Sequence, residues 1–428
     1  MRFVKADDRI AMAAVLRRGW RADAALTARV AEIVADVETR GDRAIFDYSR
    51  RFDAPEYRLT HLRVPIPMPS VARSALQEDV AAAIELAAER IADFHRRQRT
   101  DDIAYRCDDG TSYAFRHEPL GSVAIYAPGG SAALPSSVLM GAVPAKIAGV
   151  RRRIVLTPPQ RDGRVHPAVL FAASLCEVDE LYAVGGAQAI AAAAFGTASI
   201  AAVDKIVGPG NAYVTEAKRQ LYGIVGIDGL AGPSEVLVVA DASASSELVV
   251  AELLAQAEHD ARARVAVLSD SFELLESCAQ LLEAIDVARL PRGETIAAAL
   301  DDGGFLIEAK SKGEIAATIS AFAPEHLSLQ VADPDFYLAH LRCVGAVFVG
   351  ASTPVACGDY LAGTNHVLPT SGSARFASGL ALADFLRTYS VVQNSPERMR
   401  GDAAAIAAFA AFEGLDAHAQ SARSRMQS

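Results

Sequence analysis

The chain has 428 residues, enough for two or three compact cores, with 51% apolar residues, 22% charged residues and a net charge of −10. That acidic balance argues against a nucleic-acid or anionic-membrane surface, which needs clustered Lys and Arg. The one basic run, the arginines at 151–153, precedes an apolar segment and reads as a solvated strand entrance.

The five cysteines (Cys107, Cys176, Cys278, Cys343, Cys357) are odd in number and form no C-x-x-C. They fit a reducing compartment and argue against a disulfide frame or a thiolate zinc cluster. The opening "MRFVKADDRIAMAAVLRRGW" has acidic residues early and no uninterrupted apolar core, so no signal peptide is expected. The alanine-rich 187–203 is broken by Gln188, Gly196, Thr197 and Ser199 and is too weakly apolar for a membrane span. A cytoplasmic protein is expected.

In chain order, Ala25, Val30, Ile33 and Val34 at helical spacing open a pair of helices over 22–52, divided at Gly41 with Asp42 as an N-cap. A longer helix is expected over 77–98. From 122 onward, short β-branched runs (123–126, 154–157, 181–184, 205–207, 235–240) alternate with helical patterns near 134–149, 166–176, 187–195 and 210–222. Such alternation predicts βαβ units, hence an α/β fold with a mainly parallel sheet. A second series follows: helix 244–259, strand 264–268, helices 271–285 and 312–321, strand 327–331, helix 334–341, strand 345–349. The stretch 350–375, rich in Gly, Ser, Thr and Pro, reads as a long functional loop. A helical tail over 402–426, interrupted at Gly414, closes the chain. Two series suggest two related lobes.

Three loops have the composition of strand-to-helix binding turns: "YAPGG" (126–130), "VGGAQ" (184–188) and "VGPGNAYVTEAK" (207–218). None completes G-x-G-x-x-G, since Tyr213 stands where the third glycine would be; phosphate loops and plain tight turns both remain open. In "LLAQAEHDARA", Gln256 and His259 share a helix face near its end, with Glu258 pointing elsewhere. An amide oxygen and an imidazole there suit either a metal or a capping histidine.

In "APEHLSLQV", Pro324 discourages helix and Leu327, Leu329 and Val331 alternate with polar residues, so Glu325 and His326 sit at a strand entrance. They form either a polar loop edge or an acid/base pair working near neutral pH. "ACGDYLAGTNHVLPTSGSARF" brings Asp359 and His366 into the long loop, with Cys357 read as a packed thiol. "EGLDAHAQ" puts Glu413 and His418 in a terminal segment of the kind that usually frays. His61, His95, His117, His166 and His340 read as structural.

Together with "VDKIVGPGNAYVTEAKRQ", "AGPSEVLVVAD", "FAPEHL" and "RGDRAIFDYSRRFD", these stretches make a combination that resembles the histidinol dehydrogenases over nearly the whole chain. The resemblance implies an NAD-dependent, zinc-containing homodimer oxidising L-histidinol to L-histidine through L-histidinal in histidine biosynthesis. It implies two incomplete Rossmann-like lobes, with helical termini exchanged between subunits. The implied divisions are an N-terminal helical segment over 1–24, a larger discontinuous domain over 25–122 and 238–378, an inserted NAD-binding domain over 123–237, and a helical tail over 379–428.

By the same resemblance Gln256, His259, Asp359 and His418 would bind zinc, one ion per subunit, with His418 coming from the partner. These four would also contact the substrate, along with Ser234, His326, His366 and Glu413. Tyr126, Gln188 and Asn211 would bind NAD, and Glu325 and His326 would be the catalytic pair. The sequence departs from the family pattern where "QAEHDARA" lacks a proline and "ACGDY" places Cys357 in a small or aliphatic position. Relatives on the same scaffold act on other amino or sulfonated alcohols, which keeps that alternative in play. A zinc hydrolase and a non-catalytic metal-binding module are the readings from other classes.

Overall fold

The computed structural model describes residues 1–16, 19, 21–129 and 133–426. One six-stranded sheet runs edge to edge through Arg63–Val64, Glu180–Ala183, Arg152–Thr157, Ser122–Tyr126, Lys205–Val207 and Gly226–Ile227. All its pairings are parallel except the short first strand's. The other runs through Arg2–Lys5, Gly304–Glu308, Arg264–Ser269, Glu235–Ala240, His326–Gln330 and Ala346–Val349, parallel throughout. The mainly parallel α/β architecture in two lobes is therefore what the chain forms.

The side-chain period of two divides the second lobe's core. Along Glu235–Ala240, Val236 and Val238 pack into one apolar cluster, while Leu237 and Val239 pack into another on the opposite face. A parallel sheet needs both faces covered, and helices on each side provide this. In the first lobe the helices Pro135–Ala148 and Gly186–Phe195 are buried almost all round. The alanines of "AQAIAAAA" let neighbouring backbones approach closely, so this helix needs no polar face.

Most expected elements form within two or three residues of their expected limits. The division at Gly41 separates Ala24–Arg40 from Asp42–Phe52, and the long helix is Glu78–Arg96, with Ala81, Ile84, Ile91 and His95 buried at helical spacing. Five differences matter. Asp42 belongs to its helix, whose N-cap position is Gly41.

The terminal segments are not purely helical. Arg2–Lys5 forms the edge strand on Gly304–Glu308, and Leu386–Gln393 pairs antiparallel with Ser112–Pro119 in a three-stranded sheet completed by Ile103–Arg106. These strands are mostly exposed and their partners lie far away in sequence, so local apolar periodicity carries little trace of them. The helix Gly293–Gly303 and strand Gly304–Glu308 also form between 285 and 312, where no element was assigned. The long loop contains a short helix, Val355–Tyr360, packed where Gly358 leaves room for Phe348. Finally, the helix bearing Gln256 is Ser246–Ala257, so His259 lies on the turn beyond it and not on its face. Its N–H still donates to the Gln256 carbonyl at 3.3 Å.

Among the described residues no helix is long and apolar enough to cross a membrane. All five cysteines are free thiols.

Candidate active site

The carboxyl ends of the first lobe's strands surround a cavity of about 610 Å³. Tyr126, Gln188 and Asn211 all line it. Tyr126 ends its strand buried, and its hydroxyl accepts from Gly186 N–H at 3.0 Å. Burial raises the phenol well above its ordinary value. Gly186, at φ +66°, makes the turn into the helix that carries Gln188.

Asn211 is the N-cap of Ala212–Leu221, and its Oδ1 accepts from Tyr213 and Val214 N–H at 3.0 and 3.2 Å. The loop before it depends on Gly208, where a Cβ would stand 2.2 Å from the Tyr126 carbonyl oxygen. A buried ion pair fixes that loop: Lys218 Nζ donates to Asp228 Oδ1 and to the Gly208 carbonyl, each at 2.6 Å. Gly130, the last residue of "YAPGG", lies outside the described residues.

A second set of groups gathers at the amino ends of the other lobe's strands. His326 opens the strand His326–Gln330, and Glu325 directly precedes it. Both are buried. The kink into this entrance is made by Ala323 at φ +51° and by Pro324. Glu325 Oε2 accepts from the Glu235 N–H at 2.7 Å and stands 3.5 Å from His326 Nδ1. His326 Nδ1 lies 3.0 Å from the Glu235 carbonyl. A carbonyl only accepts, so Nδ1 carries the proton and Nε2 is the basic nitrogen.

Burial raises the Glu325 carboxyl well above the usual carboxylate range, and the carboxylates of Glu235 and Asp359 add to the rise. Burial lowers the His326 imidazole, reinforced by His259 and His366 and opposed by Asp359. The rise makes the carboxyl a stronger proton acceptor, while the lowered imidazole stays a neutral base.

The loop beyond the second sheet supplies the neighbours. His366 is half-buried, its Nδ1 donating to the Asp359 carbonyl at 3.1 Å, and burial lowers it too. Asp359 rides on Val355–Tyr360, whose first N–H donates to buried Glu252 Oε2 at 3.0 Å. Glu252 lies one turn before Gln256 on the same helix. The loop is tied to the first lobe by Asn365 Nδ2, which donates to the Met140 carbonyl at 2.8 Å. Ser234 stands half-buried immediately before Glu235–Ala240. Glu325, His326, His366, Asp359 and His259 are thus close enough to act on one another electrostatically.

Whether an ion fits follows from the donors. Among the described residues no group of three or more His, Cys, Asp or Glu side chains is close enough to hold one. The chain offers His259, Asp359 and the carboxamide of Gln256, a residue 2% exposed. An amide oxygen, an imidazole and a carboxylate are donor types that suit zinc.

Glu413 and His418 are not brought to this set. Both are exposed: Glu413 caps the end of the helix Pro396–Phe412 and His418 lies on Asp416–Arg423, and the two helices pack against each other through Ala407, Ala410 and Ala419.

The cavity wall also holds groups not expected from the sequence: Asp53, Arg161 and His166. His166, read as structural, caps Pro167–Leu175 by accepting from Ala168 N–H at 3.1 Å. Only its place directly before a helix in the α/β series hinted at this.

A family model described as histidinol dehydrogenase matches residues 16–426. The chain is 47% identical over 401 residues to the histidinol dehydrogenase of Agrobacterium fabrum, covering 94% of this chain and 92% of that one. It is 45% identical over 415 residues to that of Bradyrhizobium diazoefficiens, covering 97% and 95%. A crystal structure of histidinol dehydrogenase from Elizabethkingia anophelis matches with a TM-score of 0.92 at 34% identity, covering 100% of this chain and 98% of that one.

Proposed function

This chain belongs to the histidinol dehydrogenase family of oxidoreductases, and on that premise we propose that it oxidises L-histidinol to L-histidine through L-histidinal, using NAD and zinc. The observation that carries the proposal is the buried Glu325–His326 pair, with one imidazole nitrogen fixed as donor and the other left basic. Tyr126, Gln188 and Asn211 would hold NAD, in the lobe we take as 123–237 inserted between 25–122 and 238–378. Gln256, His259 and Asp359 would hold the metal with His418 from the tail of a second subunit, and the substrate would touch these four, Ser234, His326, His366 and Glu413.

When bound, NAD would supply the hydride acceptor, and a metal held by Gln256, His259, Asp359 and the tail's His418 would anchor the substrate. The chain's own residues manage the protons. His326 Nε2 takes the alcohol proton as the first hydride leaves the carbinol carbon. Glu325 then takes a proton from the water that adds to the aldehyde carbon, which suits a carboxyl whose affinity for protons burial has raised. His326, having given its first proton to the aldehyde oxygen as water adds, accepts again as the hydrated aldehyde loses its second hydride. Holding the aldehyde in place between these steps is a matter of positioning, and the enclosed pair supports it.

The test is NADH formation from histidinol, with and without a chelator. Two NADH per histidinol are expected, with the activity lost on metal removal. Glu325→Gln should stop at the aldehyde, while His326→Asn should abolish both steps. No NADH with histidinol, but turnover of another amino or sulfonated alcohol, would reassign the substrate. Hydrolysis without NADH would remove the enzyme from the dehydrogenases.

A further inference from the structure

Glu235 is completely buried at the meeting point of four segments. Its Oε1 accepts from Arg264 Nη1 at 2.8 Å, on the neighbouring strand in direct register, and Oε2 accepts from Ser371 N–H at 3.0 Å. Ser371 and Gly372 follow one another at φ +54° and +72°, which turns successive amides toward this carboxylate. A non-glycine residue at such an angle needs support from its surroundings. Here the support includes the Gly19 N–H, which donates to the Ser371 carbonyl at 2.9 Å. Arg264 also donates to the Val15 carbonyl and lies over the Phe322 ring, 4.8 Å from its centroid.

The main chain of the same residue faces the reacting pair. Its N–H donates to Glu325 Oε2 and its carbonyl accepts from His326 Nδ1. The two peptide groups flanking one Cα therefore orient both proposed catalytic side chains, while the carboxylate on that Cα is fixed by the Arg264 guanidinium and a left-handed turn.

We infer that Glu235, clamped by Arg264 and the 371–372 turn, is a positioning residue that sets the tautomer of His326 and the aim of Glu325. The inference rests on the reading of Glu325 and His326 as the catalytic pair. Glu235 touches no reacting atom. Its carboxylate holds the strand entrance in register, so one buried group links the pair to the loop that carries His366. A neutral amide at this position cannot accept from both Arg264 and the Ser371 amide through two oxygens, and one tether is lost.

The test is steady-state kinetics of Glu235→Gln in the metal-loaded enzyme, with kcat expressed per bound zinc. We expect kcat with histidinol and with histidinal to fall together by about ten- to a hundredfold, with KM for histidinol and NAD and the zinc content unchanged. In ¹⁵N-histidine-labelled protein, the hydrogen-bonded Nδ1–H resonance of His326, identified by its loss in His326→Asn, should broaden or vanish. Ser371→Gly keeps the amide donor and tolerates the left-handed angle, so it should preserve both signals.

A role limited to stability would lower the melting temperature and leave kcat per zinc and the resonance in place. Either of those results overturns the inference. If Glu235→Gln does not accumulate, Arg264→Lys, which loses the planar fork, decides by the same readouts. Wild-type-like turnover in His326→Asn would instead sink the underlying reading, independently of Glu235.

Discussion

Asp53 shows what a single side chain can cost the fold. It ends the helix Asp42–Phe52 and lines the first lobe's cavity, with Oδ2 enclosed and without a hydrogen-bond partner. Burial pushes its carboxyl up to about 6 from an ordinary 3.8. A folded-state value above the unfolded one gives stability that is complete below the unfolded value and lost as pH rises through the folded value. Asp53→Asn cannot ionise, so at pH 8 it should be more stable than the wild type by up to about 3 kcal/mol. The gain should vanish near pH 4. Urea titrations at the two pH values check this, and an equal gain at both would show that charge burial is not the cause. Asp53 was not legible beforehand, because nothing in "RRFDAPEY" announces that its carboxylate turns into a cavity wall.

At the scale of elements, Asn211 serves a helix and a candidate binding site at once. Its Oδ1 is already committed to the first turn of Ala212–Leu221, leaving only the amide nitrogen for a ligand. Asn211→Asp keeps an equally good cap, so stability should stay within about 0.5 kcal/mol while KM for NAD rises, since the donor is lost and a negative charge faces the phosphates. Asn211→Ala should raise KM and also cost about 1 kcal/mol. An unchanged KM in the aspartate variant would reduce Asn211 to a cap alone.

This helix, its preceding strand Lys205–Val207 and the loop between them were readable from β-branched runs and glycines, because those patterns are local. The helix Val355–Tyr360 was not. It is six residues long and is held from outside, by Glu252 at its start and Phe348 against Gly358. Its sequence, full of turn formers, resembles a loop until those contacts are known.

At the scale of the whole molecule, the last two helices leave an apolar face uncovered. Phe409 and Phe412 are 68% and 89% exposed, and Glu413 and His418 stand beside them away from Gln256, His259 and Asp359. Large exposed aromatics on a helix that packs mainly on its neighbour suit a contact with another subunit, which the proposed sharing of the metal ligands would need. If the site is shared, inactive His259→Ala and His418→Ala chains should complement when mixed. Statistical hybrids would regain about a quarter of wild-type activity, since half the dimers carry one intact site of two. Absence of any recovery after demonstrated subunit exchange would place each site within one chain.

The sequence by itself determined the alternation of strands and helices, the two lobes and the glycine turns after Tyr126 and Val207, since each depends on neighbours within a few residues. It also marked Glu325 and His326 as a pair at a strand entrance. Only the tertiary structure decided that this entrance, at the amino end of its sheet, is where the polar groups of the second lobe gather. The rule that ligands lie beyond the carboxyl ends of parallel strands describes the cavity of the first lobe and not this site. Burial, which raises the carboxyl, and the Glu235 carbonyl, which fixes the imidazole's proton, both follow from strand pairing between residues 90 apart. No local pattern encodes a contact of that range.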